Sequence, residues 1–315
     1  MTRIAILDDY QRVALDMADW SVLGDAEITV FDRPIDDEDA VAELLAPFEI
    51  VAIMRERTPF PRSLFERLPT LRLLVTTGMK NAAVDMPAAR DHGVMVCGTV
   101  SPGHATAELA FLMVLALARG LPGEMRSMAE GGWQHGLGRD LRGARLGLLG
   151  LGRLGSEMAR FGVTFGMEVV AWSQNLTDEA ARAAGATRLE KAEVFETSDF
   201  VSLHLRLSDR TRHIAGGDEI ARMKPDASLI NTSRGPLVDQ DALVAALRAG
   251  RIGGAALDVY DREPLPADDP LRFVPRLLLT PHIGYVTRET YAVFYGQTVE
   301  AIRAWLDGAP IHVIG

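Results

Sequence analysis

Three side chains suited to acid–base and anion chemistry stand just beyond apolar runs. Arg234 follows ASLINTS, Glu263 follows AALDVYDR and His282 follows LLLTP. An arginine fork binds a carboxylate with two parallel hydrogen bonds. A histidine takes the proton from a hydroxyl as hydride leaves, or returns one to a carbonyl. A glutamate beside it orients the ring and favours its protonated form. Singly, each has a plainer reading: a solvated charge for Arg234, a loop acid for Glu263, a hydrogen-bonded structural histidine for His282. Their shared position after apolar runs sets them together.

A fourth feature supplies what these three lack. LLGLGRLGSEMARFG, residues 148–162, reads as a strand end, a glycine turn and the start of a helix. Gly150, Gly152 and Gly155 have the spacing G-x-G-x-x-G, which sets a dinucleotide's pyrophosphate against the amides of a helix N-terminus. Gly150, Gly152, Arg153, Leu154 and Gly155 are therefore expected at the cofactor. A second strand, MEVVAW, follows at the right distance. Many NAD-binding units place an acid at its end for the adenosine ribose. Here Ser173, Gln174 and Asn175 stand instead, and the choice of NAD or NADP stays open. Loops at the carboxyl ends of an open parallel sheet line the ligand crevice. Arg234, Glu263 and His282 would then face the place where the nicotinamide lies.

The elements that must position these residues alternate between short apolar runs and helical patterns, the signature of a parallel sheet covered on both faces. Strands are predicted at 4–7, 28–31, 50–54, 71–76 and 94–97, and a second series at 144–150, 167–172, 199–205, 227–231, 255–259 and 277–280. Two series in 315 residues imply two α/β domains. The apolar stretch 105–119 contains Glu108 and is too short to cross a bilayer comfortably, so it reads as a buried helix. GEMRSMAEGGWQHG reads as a surface segment or subunit contact. The last segment, 287–308, reads as one amphipathic helix ending at Gly308.

Composition excludes several function classes. With 48% hydrophobic residues, each domain has the material for a sizeable core. The formal charge of -10, with no basic run, argues against nucleic acid or an anionic membrane as partner. The single cysteine, Cys97, excludes an internal disulfide and fits a reducing cytoplasm. The N-terminus enters a strand-like run without a signal-peptide pattern. A soluble cytoplasmic protein with no metal site is expected.

On GLGRLG, LINTSRGPLVDQDALVAAL, GAALDVYDREPL and LLLTPHIG, the sequence resembles the D-isomer-specific 2-hydroxyacid dehydrogenases over nearly its whole length, in the branch of phosphoglycerate dehydrogenases and glyoxylate–hydroxypyruvate reductases. The resemblance implies two Rossmann-like domains. Residues 1–99 with 287–315 would form a flavodoxin-like substrate domain. Residues 100–286 would form an inserted, doubly wound NAD(P)-binding domain, with the catalytic cleft at the hinge. It implies Arg234 as binder of the substrate carboxylate and carbonyl, His282 as acid/base and Glu263 as its partner. Asp258 would lie near the nicotinamide carboxamide, with a strand-end cap as its plainer role. Thr232 and Ser233 belong to the cofactor-side loop, and His204 is either cofactor-adjacent or a core histidine. Arg55, Gly78, Met79 and Lys80 are the implied substrate contacts, and a homodimer through the cofactor domain is the family expectation.

Two departures carry information. The substrate loop, G-x-G-x-D-N in the family, is GMKNAAVD here, with Lys80 in the second glycine slot. Lys80 either adds a positive charge for a second anionic group on the substrate or turns to solvent. A family proline is replaced by Arg206 in HLRLSD, where a phosphate contact would bear on NADP. The reaction expected is hydride transfer between NAD or NADP and C2 of a small D-2-hydroxy or 2-keto acid. The alternatives are a dinucleotide-sensing corepressor-like protein, and a formate or phosphite dehydrogenase of the same fold. Formate enzymes place glutamine where Glu263 stands.

Overall fold

In the computed structural model, which describes residues 1–35 and 37–314, the alternating pattern becomes two parallel sheets. The early apolar runs form β1 (Arg3–Ile6), β2 (Glu27–Val30), β3 (Ile50–Ile53), β4 (Leu73–Thr76) and β5 (Met95–Gly98). Their order, β2-β1-β3-β4-β5, is the flavodoxin-like one. The later runs form β6 (Arg145–Leu149), β7 (Glu168–Trp172), β8 (Thr187–Arg188), β9 (Phe200–Leu203), β10 (Ser228–Asn231), β11 (Gly254–Leu257) and β12 (Leu277–Leu279). They lie in the order β12-β11-β10-β9-β6-β7-β8, so the chain reverses its direction of travel across the sheet at β6. β8 is the strand the apolar pattern does not announce. Both of its residues are exposed at the sheet's far edge, where nothing requires an apolar run.

By compactness the chain divides into one unit of Met1–Pro102 with Val286–Gly315 and another of Gly103–Tyr285. In the first unit, Ala5, Leu7, Val51, Ile53, Leu74 and Val96 join Val41, Leu45 and Phe65 from the flanking helices and Phe60 from the loop before the second of them in one buried cluster. The final helix, Arg288–Leu306, also belongs to this unit. Thr287 caps it by accepting from the Thr290 amide at 3.2 Å. Its face of Tyr291, Phe294, Tyr295, Val299 and Ile302 is buried, and Tyr295 lies 6.4 Å from the Trp20 ring. The chain beyond it is tied to β5, where the Gly98 amide donates to the His312 carbonyl and the Ile314 amide to that of Val96, both at 2.9 Å.

In the second unit, successive strand residues go to opposite faces, the period of two that a pleated strand imposes. Leu149, Leu203, Leu229 and Leu257 join one buried cluster, while Leu148, Phe200, Ile230 and Ala256 join the other. The helix His104–Ala118 covers the second face, and its Ala107, Ala110, Val114 and Ala118 permit close approach to the strands. The segment read as a surface element begins as a helix, Leu121–Ala129, with no buried residue, and continues through Trp133, which is 70% exposed. Among the described residues no single helix is long and apolar enough to cross a membrane. No group of three or more His, Cys, Asp or Glu among them is placed to hold a metal ion.

Candidate active site

The chemistry-bearing residues of the second unit leave the carboxyl ends of neighbouring strands. Across β6, β9, β10, β11 and β12 these are the glycine turn, His204, Thr232 to Arg234, Asp258 to Glu263, and Thr280 to His282. Neighbouring strands are about 4.8 Å apart, so the row spans roughly 19 Å. The glycine turn sits where the strand order reverses, the usual ligand crevice of such sheets.

At one end of the row stands an ordered acid–base pair. Glu263 Oε2 lies 2.5 Å from His282 Nδ1, while Glu263 Oε1 accepts from the Tyr260 amide at 2.9 Å. Both carboxylate oxygens are thus held, and the ring is oriented through Nδ1. His282 adopts a left-handed backbone, φ 51°, in a tight turn whose amide donates to the Thr280 carbonyl at 3.0 Å. Asp258, fully buried, fastens that turn. It accepts from Thr280 Oγ1 at 2.5 Å, from the Ile283 amide at 2.8 Å and from the Gly284 amide at 2.8 Å. Burial raises its pKa, against the lowering effect of those bonds and of the nearby His282 charge. The Tyr260 hydroxyl donates to the Thr280 carbonyl at 2.7 Å. Burial, then the charges of Asp258 and Glu263, push its pKa up and keep it a donor.

Arg234 reaches the same cluster through its neighbours. Buried Asn231 clamps the loop, accepting from the Ser233 amide at 3.0 Å and donating to the Arg234 carbonyl at 2.8 Å. Ser233 Oγ donates to the Leu203 carbonyl at 2.7 Å, and the Arg234 guanidinium to the Ser233 carbonyl at 2.6 Å. Gly235 then abuts the next loop so closely that a Cβ there would stand 2.2 Å from the Tyr260 carbonyl carbon. Arg234, Glu263 and His282 are thereby linked through Gly235 and Tyr260. Asn231, Gly235, Tyr260 and Thr280 were not singled out from the sequence. The available signal was a polar residue ending an apolar strand run, as Asn231 and Thr280 both do.

At the glycine turn, each glycine has its own reason. Gly150 has φ 97° and packs on β9, a Cβ there falling 2.6 Å from the His204 carbonyl oxygen. Gly155 lies against the Gly150 carbonyl, where a Cβ would come within 2.0 Å. Gly152 instead faces open space and begins the helix Arg153–Thr164 without a side-chain cap. The Arg153 guanidinium lies against Gly103. Ser173 carries its carbonyl in a turn to the Leu176 amide at 3.0 Å, and Gln174 is exposed beside it. His204 Nε2 lies 2.9 Å from Ser202 Oγ, but its Nδ1 is buried and without a partner. Thr232 Oγ1 is likewise buried and unpartnered. The two are register neighbours, each following the paired residues Leu203 and Asn231.

In the first unit, the loops after β3 and β4 are bound to each other. Arg55, with φ 55°, donates its amide to Thr77 Oγ1 at 2.8 Å and its guanidinium to the Thr77 carbonyl at 3.1 Å. Asn81 Nδ2 donates to the Arg55 carbonyl at 2.6 Å and to Thr76 Oγ1 at 2.8 Å. Gly78, at φ 99°, lies under the Arg55 guanidinium, and its amide donates to Thr99 Oγ1 at 3.0 Å. Met79 is 42% exposed and Lys80 is exposed.

A family model, the NAD binding domain of the D-isomer specific 2-hydroxyacid dehydrogenases, matches residues 111–284. The chain belongs to that family. It is 35% identical over 259 residues to a glyoxylate reductase of Korarchaeum cryptofilum, which is 79% of this chain and 77% of that one. To a D-3-phosphoglycerate dehydrogenase of Synechocystis sp. it is 30% identical over 313 residues, covering 98% of this chain but 55% of the longer relative. A solved phosphoglycerate oxidoreductase from Vibrio cholerae matches with TM-score 0.93 and 38% identity over 98% of this chain and 100% of that one. The resemblance read from the four motifs is therefore correct, as is the two-sheet α/β fold. The protein is an NAD(P)-dependent oxidoreductase of the 2-hydroxyacid dehydrogenase family.

The residues present fit the family's dinucleotide. Gly152 gives open backbone where a phosphate must approach, and Gly150 and Gly155 close the turn behind it. The unpartnered Thr232 Oγ1 and His204 Nδ1 leave two buried polar atoms to be satisfied along the same edge. Such orphans are rare and call for a partner.

Proposed function

We propose that this dehydrogenase interconverts a small 2-keto acid and its D-2-hydroxy acid at the strand ends of β10, β11 and β12. A nicotinamide held at the glycine turn would supply the hydride chemistry at C2. Arg234 binds the carboxylate and adjacent carbonyl through its guanidinium fork. His282, from its nitrogen away from Glu263, gives a proton to the carbonyl oxygen during reduction and takes it back during oxidation. Glu263 keeps the ring in that tautomer and balances the imidazolium charge. Asp258 acts as a positioning residue, since its two oxygens hold the 280–284 turn that presents His282. Gly150, Gly152, Arg153, Leu154 and Gly155 hold the pyrophosphate, with Ser173 and Gln174 at the adenosine ribose and His204 and Thr232 along the cofactor. The observation that carries the reading is the 2.5 Å Glu263–His282 contact, with the second Glu263 oxygen anchored on Tyr260.

Arg55, Gly78, Met79 and Lys80 are proposed as the substrate contacts of the first unit. In this reading residues 1–99 and 287–315 select the substrate, residues 100–286 bind the cofactor, and the protein works as a cytoplasmic homodimer. Lys80 favours an acid with a second anionic group, a preference in keeping with the relative named for 3-phosphoglycerate.

The test is oxidation of NADH and NADPH by the pure protein against glyoxylate, hydroxypyruvate, phosphohydroxypyruvate, branched keto acids and keto diacids. Turnover of a narrow set is expected, with the D isomer as product. Tight cofactor binding without turnover across the panel would instead favour a dinucleotide sensor. For Lys80, replacement by methionine is expected to raise KM for dianionic keto acids about tenfold, one lost charge contact, and leave monoanionic ones within about threefold. An equal effect on both classes removes Lys80 from specificity.

A further inference from the structure

The adenosine end of the cofactor site carries an unused signal in its charge. The Gly150 amide donates to the Trp172 carbonyl at 2.8 Å, so the Ser173–Gln174–Asn175 turn begins directly beside the glycine turn. On the other side of β6, the His204 carbonyl and the Leu205 side chain close on Gly150. Segments 150–155, 173–176 and 204–206 therefore converge on one glycine. They contain no carboxylate, and they contain two arginines, Arg153 and Arg206. Beyond them the flanking acids are Glu157, Asp178 and Asp209, of which the first two have basic neighbours of their own. Glu157 pairs with Arg160 and with His104, and Asp178 faces Arg188 at 3.8 Å.

In dinucleotide folds a carboxylate at the end of the second strand binds the ribose 2′-hydroxyl and repels a 2′-phosphate. Here that position offers one hydroxyl and two carboxamides, all able to donate hydrogen bonds to phosphate oxygens. Ser173 is half-buried, while Gln174, Asn175 and Arg206 are exposed. The Arg206 backbone is held by Thr211 Oγ1, which donates to its carbonyl at 2.6 Å. We propose that this pocket accepts a 2′-phosphate, so that NADPH is bound at least as well as NADH, with Ser173, Gln174 and Arg206 as the residues that meet the phosphate. The inference concerns the cofactor pocket and stands whichever acid the enzyme reduces.

Equilibrium titration of the full chain with NADH, NADPH, 5′-AMP and 2′,5′-ADP tests it without any turnover. NADPH is expected to bind within about threefold of NADH or tighter, and 2′,5′-ADP more tightly than 5′-AMP. Ser173→Asp is expected to weaken NADPH by about tenfold or more, through a like charge against the phosphate, and to bind NADH as tightly as the wild type or more tightly, since the new carboxylate accepts from the ribose 2′-hydroxyl. Gln174→Asp, at an exposed position, makes the same test where Ser173→Asp does not fold. Arg206→Leu is expected to weaken NADPH and 2′,5′-ADP and to spare NADH and 5′-AMP. Wild-type NADPH binding more than about threefold weaker than NADH, equal affinity for the two adenosine phosphates, or binding of neither dinucleotide overturns the proposal.

Discussion

Glu263 and His282 show how much the site depends on single atoms. The carboxylate reaches the ring with one oxygen and the Tyr260 amide with the other, so replacing Glu263 by Gln keeps the shape and removes the charge. The amide it introduces no longer balances a charged imidazolium. We expect kcat for keto-acid reduction to fall about 10²-fold or more with KM little changed, and the pH optimum to shift, measured by steady-state kinetics across pH. His204 gives a stability prediction of its own. Burial pushes its pKa down to about 4. The unfolded chain titrates near the ordinary value of about 6.5, so between these values the unfolded state binds the extra proton. Stability contributed by keeping this ring neutral is intact above about pH 6.5 and is lost progressively as pH falls toward 4, to an extent of about 3 kcal/mol. Urea unfolding at pH 7 and pH 4.5 is expected to show a smaller acid loss for His204→Asn than for the wild type. An identical loss in both would mean that another group sets the acid limb.

Among the elements, the decisive arrangement is a row of strand ends held together by side-chain hydrogen bonds and by close backbone packing. Gly235 shows this best, because its neighbour is the backbone of Tyr260 and Asp261, which cannot swing aside like a flexible side chain. Gly235→Ala must push the 260–263 loop away and with it the Glu263 anchor. We expect a stability loss of about 1–3 kcal/mol by overpacking, and a fall in kcat larger than that loss explains, read by urea unfolding and kinetics on the same sample. The strand series was legible because buried parallel strands are continuous apolar runs. β8 was not, since an exposed edge pair carries no such run. Strand starts were also blurred. The run from 71 opens with Leu71 and Arg72 in the approach to β4, where Leu71 is buried by packing rather than by pairing.

For the whole molecule, two units with separate buried clusters each hold the material for their own unfolding transition. The family's cofactor site belongs to the second unit. A ligand bound to a native state at a hundredfold its Kd adds about 2.7 kcal/mol to that state. Calorimetry of the full chain is expected to show the dinucleotide raising one component of the unfolding trace by more than the other. A uniform shift of a single transition would mean that the two units unfold as one.

Much of this protein is determined by local sequence. Apolar runs specify the strands, Gly150 and Gly155 specify a turn that side chains would block, and four motifs in order name the family. These features are local because each strand, turn or motif depends on residue type and spacing within its own stretch of chain. Only the tertiary structure decides that Asp258 spends both oxygens on the 280–284 turn, that Asn231 clamps the loop carrying Arg234, and that Gly235 must be small because of Tyr260. Asn231 acts within its own strand-end loop, while the partners of Asp258 and Gly235 lie one strand away, brought beside them by the parallel register of β10, β11 and β12. A hydrogen bond is settled within a few tenths of an ångström, and that precision exists only once the sheet has placed its strand ends side by side.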